Sequence, residues 1–302
     1  MGATTLERAS PARRPDVGVV ARARRFVDRY LLFTYTGLAI IYLLLPIAII
    51  ILFSFNNPAG RRNFVWTEFS LDAWLDPLGI PGLASAVTLS LIIAVVSTLV
   101  ATVLGTLMAI ALVRYEFRGS RLTNALIFLP MATPEIVMGA SLLTLFVSLG
   151  SPPFFPLSLF TILIAHILFN ISYVVVTVRA RLAGFPRHLE EAAMDLGANE
   201  WATFWKVTFP LILPGIIAAA LLAFSLSIDD FVVTNFTSGG TVTFPMFIYA
   251  KARIGIPPQV NVVGTIIFLT AVGLVAASTI VSRRRTMRDE ALARRHSAAE
   301  HA

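Results

Sequence analysis

The stretch RARLAGFPRHLEEAAMDLGANEWATFWKVTFP, from Arg179 to Pro210, is a polar interruption between two apolar runs. It is too well formed for an ordinary connection. Pro186 has a fixed φ suited to a first helical turn. Glu190 and Glu191 follow near that turn, where the helix dipole favours anions. Leu189, Ala192, Ala193 and Leu196 recur at helical spacing and make a narrow face of small and apolar residues. Gly197 can take the left-handed conformation that ends such a helix. Asn199 is a natural N-cap for a second helix, with Trp201, Phe204 and Trp205 turned toward the membrane, and Pro210 is expected to break the pattern where the next apolar run begins. A helix resting on lipid carries a basic polar face, whereas this one is acidic and would be repelled by anionic headgroups. It is expected to meet another protein.

Outward from this segment the chain is apolar. Its 302 residues are 57% hydrophobic and 14% charged, with a mean hydropathy of +0.79. A soluble domain carries about 25% charged residues. Apolar runs occupy Leu31–Phe55, Leu83–Val113, Asn124–Leu149, Leu157–Val178, Pro210–Val233 and Val260–Ser282. Each is long enough to cross the roughly 30 Å of hydrocarbon as a helix. The expectation is an all-α polytopic membrane protein with six transmembrane helices. Residues 1–25 form a disordered basic tail, 26–56 the first transmembrane helix, 83–282 a five-helix core containing the 179–210 segment, and 283–302 a second basic tail. The first run is too long for a signal-peptide core and lacks a small-residue cleavage site, so it is taken as uncleaved.

The basic residues test this count. Six spans place both ends and the 114–121 and 179–210 connections on one side, leaving only Arg61, Arg62, Lys251 and Arg253 on the other. That asymmetry is the positive-inside signal, so both termini and the 179–210 segment are assigned to the cytoplasm. It also accounts for the sequence pI of about 10.3 without nucleic acid, which is not an expected partner. The chain has no cysteine, and its four histidines are scattered, so no metal is expected. The two lysines are Lys206 and Lys251, preceded by Trp205 and Ala250, so there is no phosphate-binding Gly-x-x-x-x-Gly-Lys loop. Two outside segments are long. Asn56–Gly82 carries Trp66, Phe69 and Trp74, and Ser238–Gln259 contains Phe244-Pro245-Met246-Phe247-Ile248-Tyr249, which suits a short interfacial helix.

Glu191-Ala192-Ala193, three residues, Gly197, nine residues, then Val207-Thr208-Phe209-Pro210 resembles the EAA loop of binding-protein-dependent ABC importer permeases. In that loop the last element is Ile-x-Leu-Pro, and Val207 and Phe209 are apolar replacements. The resemblance extends over about Leu83–Ser282. Within it, Pro134-Glu135-Ile136-Val137-Met138-Gly139 and Ser227-Ile228-Asp229-Asp230-Phe231-Val232-Val233 are similar to spermidine/putrescine permeases, as is Gly255-Ile256-Pro257-Pro258-Gln259-Val260-Asn261. The resemblance implies a type I ABC importer permease fold in a bacterial inner membrane. It implies that Glu190, Glu191, Ala192, Ala193, Asp195, Leu196 and Gly197 form a coupling helix that docks into an ATPase subunit. The expected partners are an ATPase dimer, a second homologous permease subunit forming a heterodimer, an extracytoplasmic substrate-binding protein and the lipid bilayer. ATP and Mg belong to the ATPase, and this chain is a non-catalytic subunit with no cofactor of its own.

Acidic residues within the apolar runs carry the substrate reading. Glu135 lies about eleven residues, ~17 Å, into its run. An isolated carboxylate there costs at least ~2.5 kcal/mol, so it must face a cavity or a partner. Pro130 and Pro134 suggest a bent or broken helix beside a substrate path. Asp229 and Asp230 sit toward the outer end of the fifth run, Asp230 being open to a solvated place at the interface. With Phe231, Phe236 and Tyr249 these acids suit a polyamine, by ion pairing and cation–π contact. The alternative is pairing with a second permease subunit. His166 suits a helix–helix hydrogen bond. Gly139-Ala140-Ser141 is not a serine nucleophile elbow, because Leu142 stands where glycine is needed. Other cargoes on the same machinery (ferric iron, sulfate, an opine or an amino-acid-like compound) are the runner-up reading. A secondary transporter using Glu135 ranks below it, since it gives no reason for a docking helix.

Overall fold

The computed structural model describes residues 19–60, 62–115, 117–184, 186–273, 276, 280 and 287. Among them the chain is helical apart from its connections, of which residues 54–71 are the longest. In order it forms α1 (Val19–Phe53), α2 (Asp72–Leu75), α3 (Leu83–Arg114), α4 (Ser120–Ala132), α5 (Glu135–Leu149), α6 (Leu159–Ala183), α7 (His188–Asp195), α8 (Glu200–Thr203), a π-helical turn (Phe204–Thr208), α9 (Phe209–Ile228), α10 (Val232–Thr237), α11 (Phe244–Ile254) and α12 (Pro258–Gly273). An isolated antiparallel bridge, Asn56 to Phe69, is the sole extended pairing described. The chain divides into two compact units, residues 1–55 with 264–302, and residues 56–263, so the division falls inside α12.

Four helical stretches are long and apolar enough to cross a membrane: Tyr30–Phe53, Leu83–Arg114, Leu159–Ala183 and Glu200–Ile228. A fifth is reached by counting the α4–α5 pair as one broken span. The expected sixth, Val260–Ser282, is described as a helix only to Gly273, and most of its remainder lies outside the described residues. So do residues 1–18 and almost all of the 283–302 tail. The backbone is helical from Val19, within the stretch expected to be a tail, in keeping with the helix-forming Ala and Arg residues there.

In the larger unit α3, α6 and α9 pack together, joined by α4. Ala109, Ile127, Val174, Val178, Ile212 and Ala219 are among the buried residues at their junction. The close approach has a sequence cause. Ala86, Ser90, Ala94, Ser97, Ala101, Gly105 and Ala109 lie buried along α3 at near-fourfold spacing. Small residues of this kind let backbones approach where lipid supplies no hydrophobic drive. A Cβ at Gly105 would stand 2.7 Å from the Val174 side chain.

The expected span Asn124–Leu149 is two helices meeting at 110°. Thr133 is extended (φ −81, ψ 130), as the residue before a proline must be, and Pro134 has no N–H to continue the ladder. The expected break at Pro210 does not occur. Helix runs through it because the preceding π turn, closed by the Phe209 N–H on the Phe204 carbonyl, absorbs the proline's missing donor and its clash with the turn before.

Candidate functional site

The larger unit holds two acidic sites. The first is the 179–210 segment. Arg187 is the N-cap of α7, so Pro186 stands before the helix and not in its first turn, its carbonyl accepting from the Leu189 N–H. The helix ends in a Schellman motif. Gly197 has φ +88, its N–H donates to the Met194 carbonyl at 2.9 Å, and the Ala198 N–H reaches back to Ala193 at 3.1 Å. Asn199 Oδ1 then accepts from the Ala202 N–H at 2.8 Å, which starts α8 as its side chain predicts. Trp205 packs against Phe204 and Phe209, with Trp201 beside it.

The two glutamates of α7 part company. Glu190 is half-buried, and its Oε1 accepts from Arg114 Nη2 at 2.6 Å and from Thr208 Oγ1 at 2.5 Å. Arg187 Nη2 donates to the Val113 carbonyl, at the C-terminal end of α3 where a cation is favoured. The helix is thereby tied to α3 and to the π turn before α9. Glu191, Ala192, Asp195 and Gly197 are exposed, Ala193 is half-buried, and Leu196 is 89% exposed. An aliphatic side chain so fully presented has no packing role within the chain. Arg114 and Thr208 carried no sequence signal of their own, because their partner is set by folding alone.

The second site is a cavity of about 350 Å³ at the α4–α5 break, within the size range of small-ligand sites. Pro134, Glu135, Phe169, Tyr173, Asp230 and Val233 are among its lining. Glu135 opens α5, so its carboxylate stands at the positive end of that helix, and the expectation that it faces a cavity or a partner is met by this wall. Asp230 is not solvated. Its side chain is 7% exposed, because it supplies acceptors to the N–H groups of Thr234 (2.7 Å) and Val233 (3.3 Å) and to the Thr234 hydroxyl (2.7 Å). Asp229 is exposed and does not line the cavity, nor do Phe231 and Tyr249. Those two rings stack on each other at 4.6 Å, and Tyr249 also takes the Arg253 guanidinium over its face at 4.8 Å and accepts its hydrogen bond at 2.7 Å. An internal cation already occupies that ring.

His166 is buried between helices, with Nδ1 2.6 Å from Ser227 Oγ and Nε2 2.9 Å from Thr234 Oγ1. It makes the helix–helix link expected of it. Sequence reasoning passed over Phe169, Tyr173 and Thr234. The available signal was spacing: Tyr173 lies two turns from His166 on α6, and Thr234 lies one turn from Asp230.

Residues 101–286 match the family described as binding-protein-dependent transport system inner membrane component. The chain belongs to that family. It is 39% identical over 246 residues to the spermidine/putrescine transport system permease protein PotC of Escherichia coli, covering 81% of this chain and 91% of that one. To the putrescine transport system permease protein PotI of the same organism it is 39% identical over 238 residues, 78% of this chain and 84% of the relative. The Haemophilus influenzae PotC is 37% identical, with 80% and 93% covered. Among solved structures, a bacterial ABC transporter involved in the import of the acidic polysaccharide alginate superposes with a TM-score of 0.63 at 16% identity, over 87% of this chain and 99% of that one. An inward-facing MetNI methionine ABC transporter gives 0.53 at 18% identity, over 66% and 95%. This chain is therefore a permease subunit with the fold of ABC importer permeases, an inner-membrane component and the non-catalytic part of such a system.

Proposed function

We propose that this permease carries a polyamine, spermidine or putrescine, across the membrane by alternating access. The observation that carries the reading is the meeting of Glu135 and Asp230 on the wall of one cavity, with Tyr173 beside them. Two carboxylates and an aromatic ring suit a flexible cation with several ammonium groups. They repel sulfate. The printed names of the relatives that share most of the chain's length, spermidine/putrescine and putrescine permeases, point to the same cargo.

In this reading both termini and α7 lie in the cytoplasm. The exposed face of Glu191, Ala192, Asp195 and Leu196 enters a groove of one subunit of an ATPase dimer, where ATP and Mg reside. Glu190 does not touch the ATPase; it fastens α7 to α3 and α9, so that closure of the ATPase dimer moves those helices. A homologous permease subunit completes the cavity as a heterodimer, and a substrate-loaded binding protein docks on the outer segments. Asp229, Phe231 and Tyr249 have no part in the path.

The test is ATP hydrolysis by the reconstituted complex with its binding protein. Spermidine or putrescine should stimulate it, and sulfate and ferric iron should not. Stimulation by sulfate or ferric iron, with none by polyamines, would overturn the cargo.

A further inference from the structure

A chain of buried polar side chains crosses four helices and ends at Asp230. Ser97 of α3 lies 2.9 Å from Ser227 of α9, Ser227 lies 2.6 Å from His166 of α6, His166 lies 2.9 Å from Thr234 of α10, and Thr234 lies 2.7 Å from the Asp230 carboxylate. Ser97, Ser227, His166 and Thr234 are between 0% and 4% exposed, so no bulk water competes for these bonds. The carboxylate fixes the direction of the two links nearest to it. It accepts two backbone N–H groups, and an ionised carboxylate has no proton to give. The Thr234 hydroxyl therefore donates to Oδ2. Its one proton is then committed, so it accepts from His166, and Nε2 carries the hydrogen. Both of these protons point toward Asp230, and Ser227 and Ser97 hold the other ring nitrogen in place.

Thr234 differs from the threonines that bond back onto their own helix. Thr133, Thr144, Thr177 and Thr237 each donate to the carbonyl four residues earlier, at 2.7 to 2.9 Å. That back-bond is the ordinary resting place of a threonine hydroxyl in a helix. Thr234 instead turns its proton to the side chain of the residue four earlier. Two things distinguish its surroundings, a carboxylate on the residue four earlier and the hydrogen bond from His166. With Thr234 held so, Oδ2 is committed, while Oδ1 receives one long bond of 3.3 Å from the Val233 N–H and keeps acceptor capacity for a ligand.

We propose that His166, whose Nε2 lies 3.5 Å from Asp230 Oδ2 and 2.9 Å from Thr234 Oγ1, is the positioning residue that holds the Asp230 carboxylate, directly and through Thr234, ready for an ammonium group in the cavity. This rests on the reading of that cavity as the path of a cation. Loss of the Nε2–H donor releases the Thr234 hydroxyl to the Asp230 carbonyl and leaves the carboxylate without its side-chain restraint.

Spermidine uptake by the reconstituted complex, with its binding protein saturated, tests this. His166→Gln places an amide donor where Nε2 stood, whereas His166→Asn reaches only the Nδ1 position. Asp230→Asn and His166→Asn should each lower uptake about tenfold or more, the scale of one lost hydrogen bond or charged contact. His166→Gln should stay within about twofold of the native rate on the same scale. The double variant His166→Asn with Asp230→Asn should be no slower than Asp230→Asn alone, because a positioning residue has nothing left to position. Thr234→Val should match His166→Asn and Thr234→Ser the native chain, and this pair carries the test if a histidine variant fails to assemble. Equal losses in His166→Gln and His166→Asn, or a double variant whose losses multiply, would overturn the positioning role. Native uptake in Asp230→Asn would remove the cavity reading itself. A loss in Asp230→Asn beside native rates in His166→Asn and Thr234→Val would overturn the positioning role alone.

Discussion

Two adjacent acid pairs, Glu190-Glu191 on α7 and Asp229-Asp230 after α9, are alike in sequence and divided in structure in the same way. In each pair one carboxylate is turned into the protein and bonded on several sides, and its neighbour is exposed. The causes are local. On α7 consecutive residues point about 100° apart, so Glu190 reaches the packed neighbours and Glu191 does not, whereas Asp229 and Asp230 part in the connection between α9 and α10. The pairs differ in what the inward acid meets. Glu190 meets a cation, Arg114, and becomes a fastening. Asp230 meets the Thr234 hydroxyl, with His166 Nε2 3.5 Å from its Oδ2, has no guanidinium paired to it among the described residues, and faces a cavity. An acid fastened by arginine is structural, whereas an acid held by hydroxyl and imidazole is available to a ligand.

The largest expected effect separates the two aspartates. On the proposed path Asp230→Asn would remove a charge-assisted contact with cargo, worth about 1.5–3 kcal/mol, and should slow spermidine uptake between about 10- and 100-fold. Asp229→Asn, on an exposed side chain outside the cavity, should leave uptake within about twofold. Uptake rates of the two variants in the same reconstituted complex check this, and equal losses would erase the contrast within the pair.

Next comes the division between the glutamates. Glu190→Ala leaves the partly buried Arg114 guanidinium without this carboxylate and loosens α7 by about 1–3 kcal/mol. Tryptic cleavage after Arg187 should then speed up about fivefold or more, as the opened population grows. Glu191→Ala should leave that cleavage unchanged and lower the yield of ATPase that co-purifies with the permease. Leu196→Ser should do the same, losing up to about 2 kcal/mol of apolar contact at the docking face while costing the isolated permease nothing, since Leu196 is 89% exposed. If Glu190→Ala reduces co-purification without affecting cleavage, Glu190 belongs to the docking face instead.

The two regions also differ in how far the sequence disclosed them. The 179–210 segment was readable almost residue by residue, because its structure is local. A capping asparagine, a terminal glycine and a periodic small-residue face act within one or two turns. What stayed hidden there was which glutamate turned inward, since Arg114 comes from a distant helix. The α4–α5 break was legible from Pro130 and Pro134, again a local effect, although its 110° angle was not. The cavity was half legible. Glu135 and Asp230 stood out as charges in apolar runs, but Tyr173 and Thr234 look like any residues of a packed helix. Phe231 and Tyr249 also stood out, as aromatic rings near acids, but nothing in the sequence says that they stack on each other or that Arg253 lies over Tyr249.

The smallest effect concerns Gly197, where the 179–210 segment has its sharpest local requirement. At φ +88 a Cβ would meet nothing within 4 Å, so Gly197→Ala introduces no clash. Its cost is the left-handed backbone alone, roughly 1–2 kcal/mol for an L-residue. That strain is relieved by opening the Schellman bonds from Gly197 and Ala198, which frees the Met194 and Ala193 carbonyls and lets the end of α7 fray. Glu190, in the first turn, is untouched, so tryptic cleavage after Arg187 should rise by less than in Glu190→Ala. The exposed carbonyls and the displaced Leu196 belong to the docking face, so co-purification of the ATPase should fall modestly. Gly197→Asn should be milder in both, because asparagine tolerates the left-handed region better than alanine does. An alanine variant indistinguishable from the asparagine one would mean that loss of the glycine's flexibility, and not its handedness, is what the segment feels.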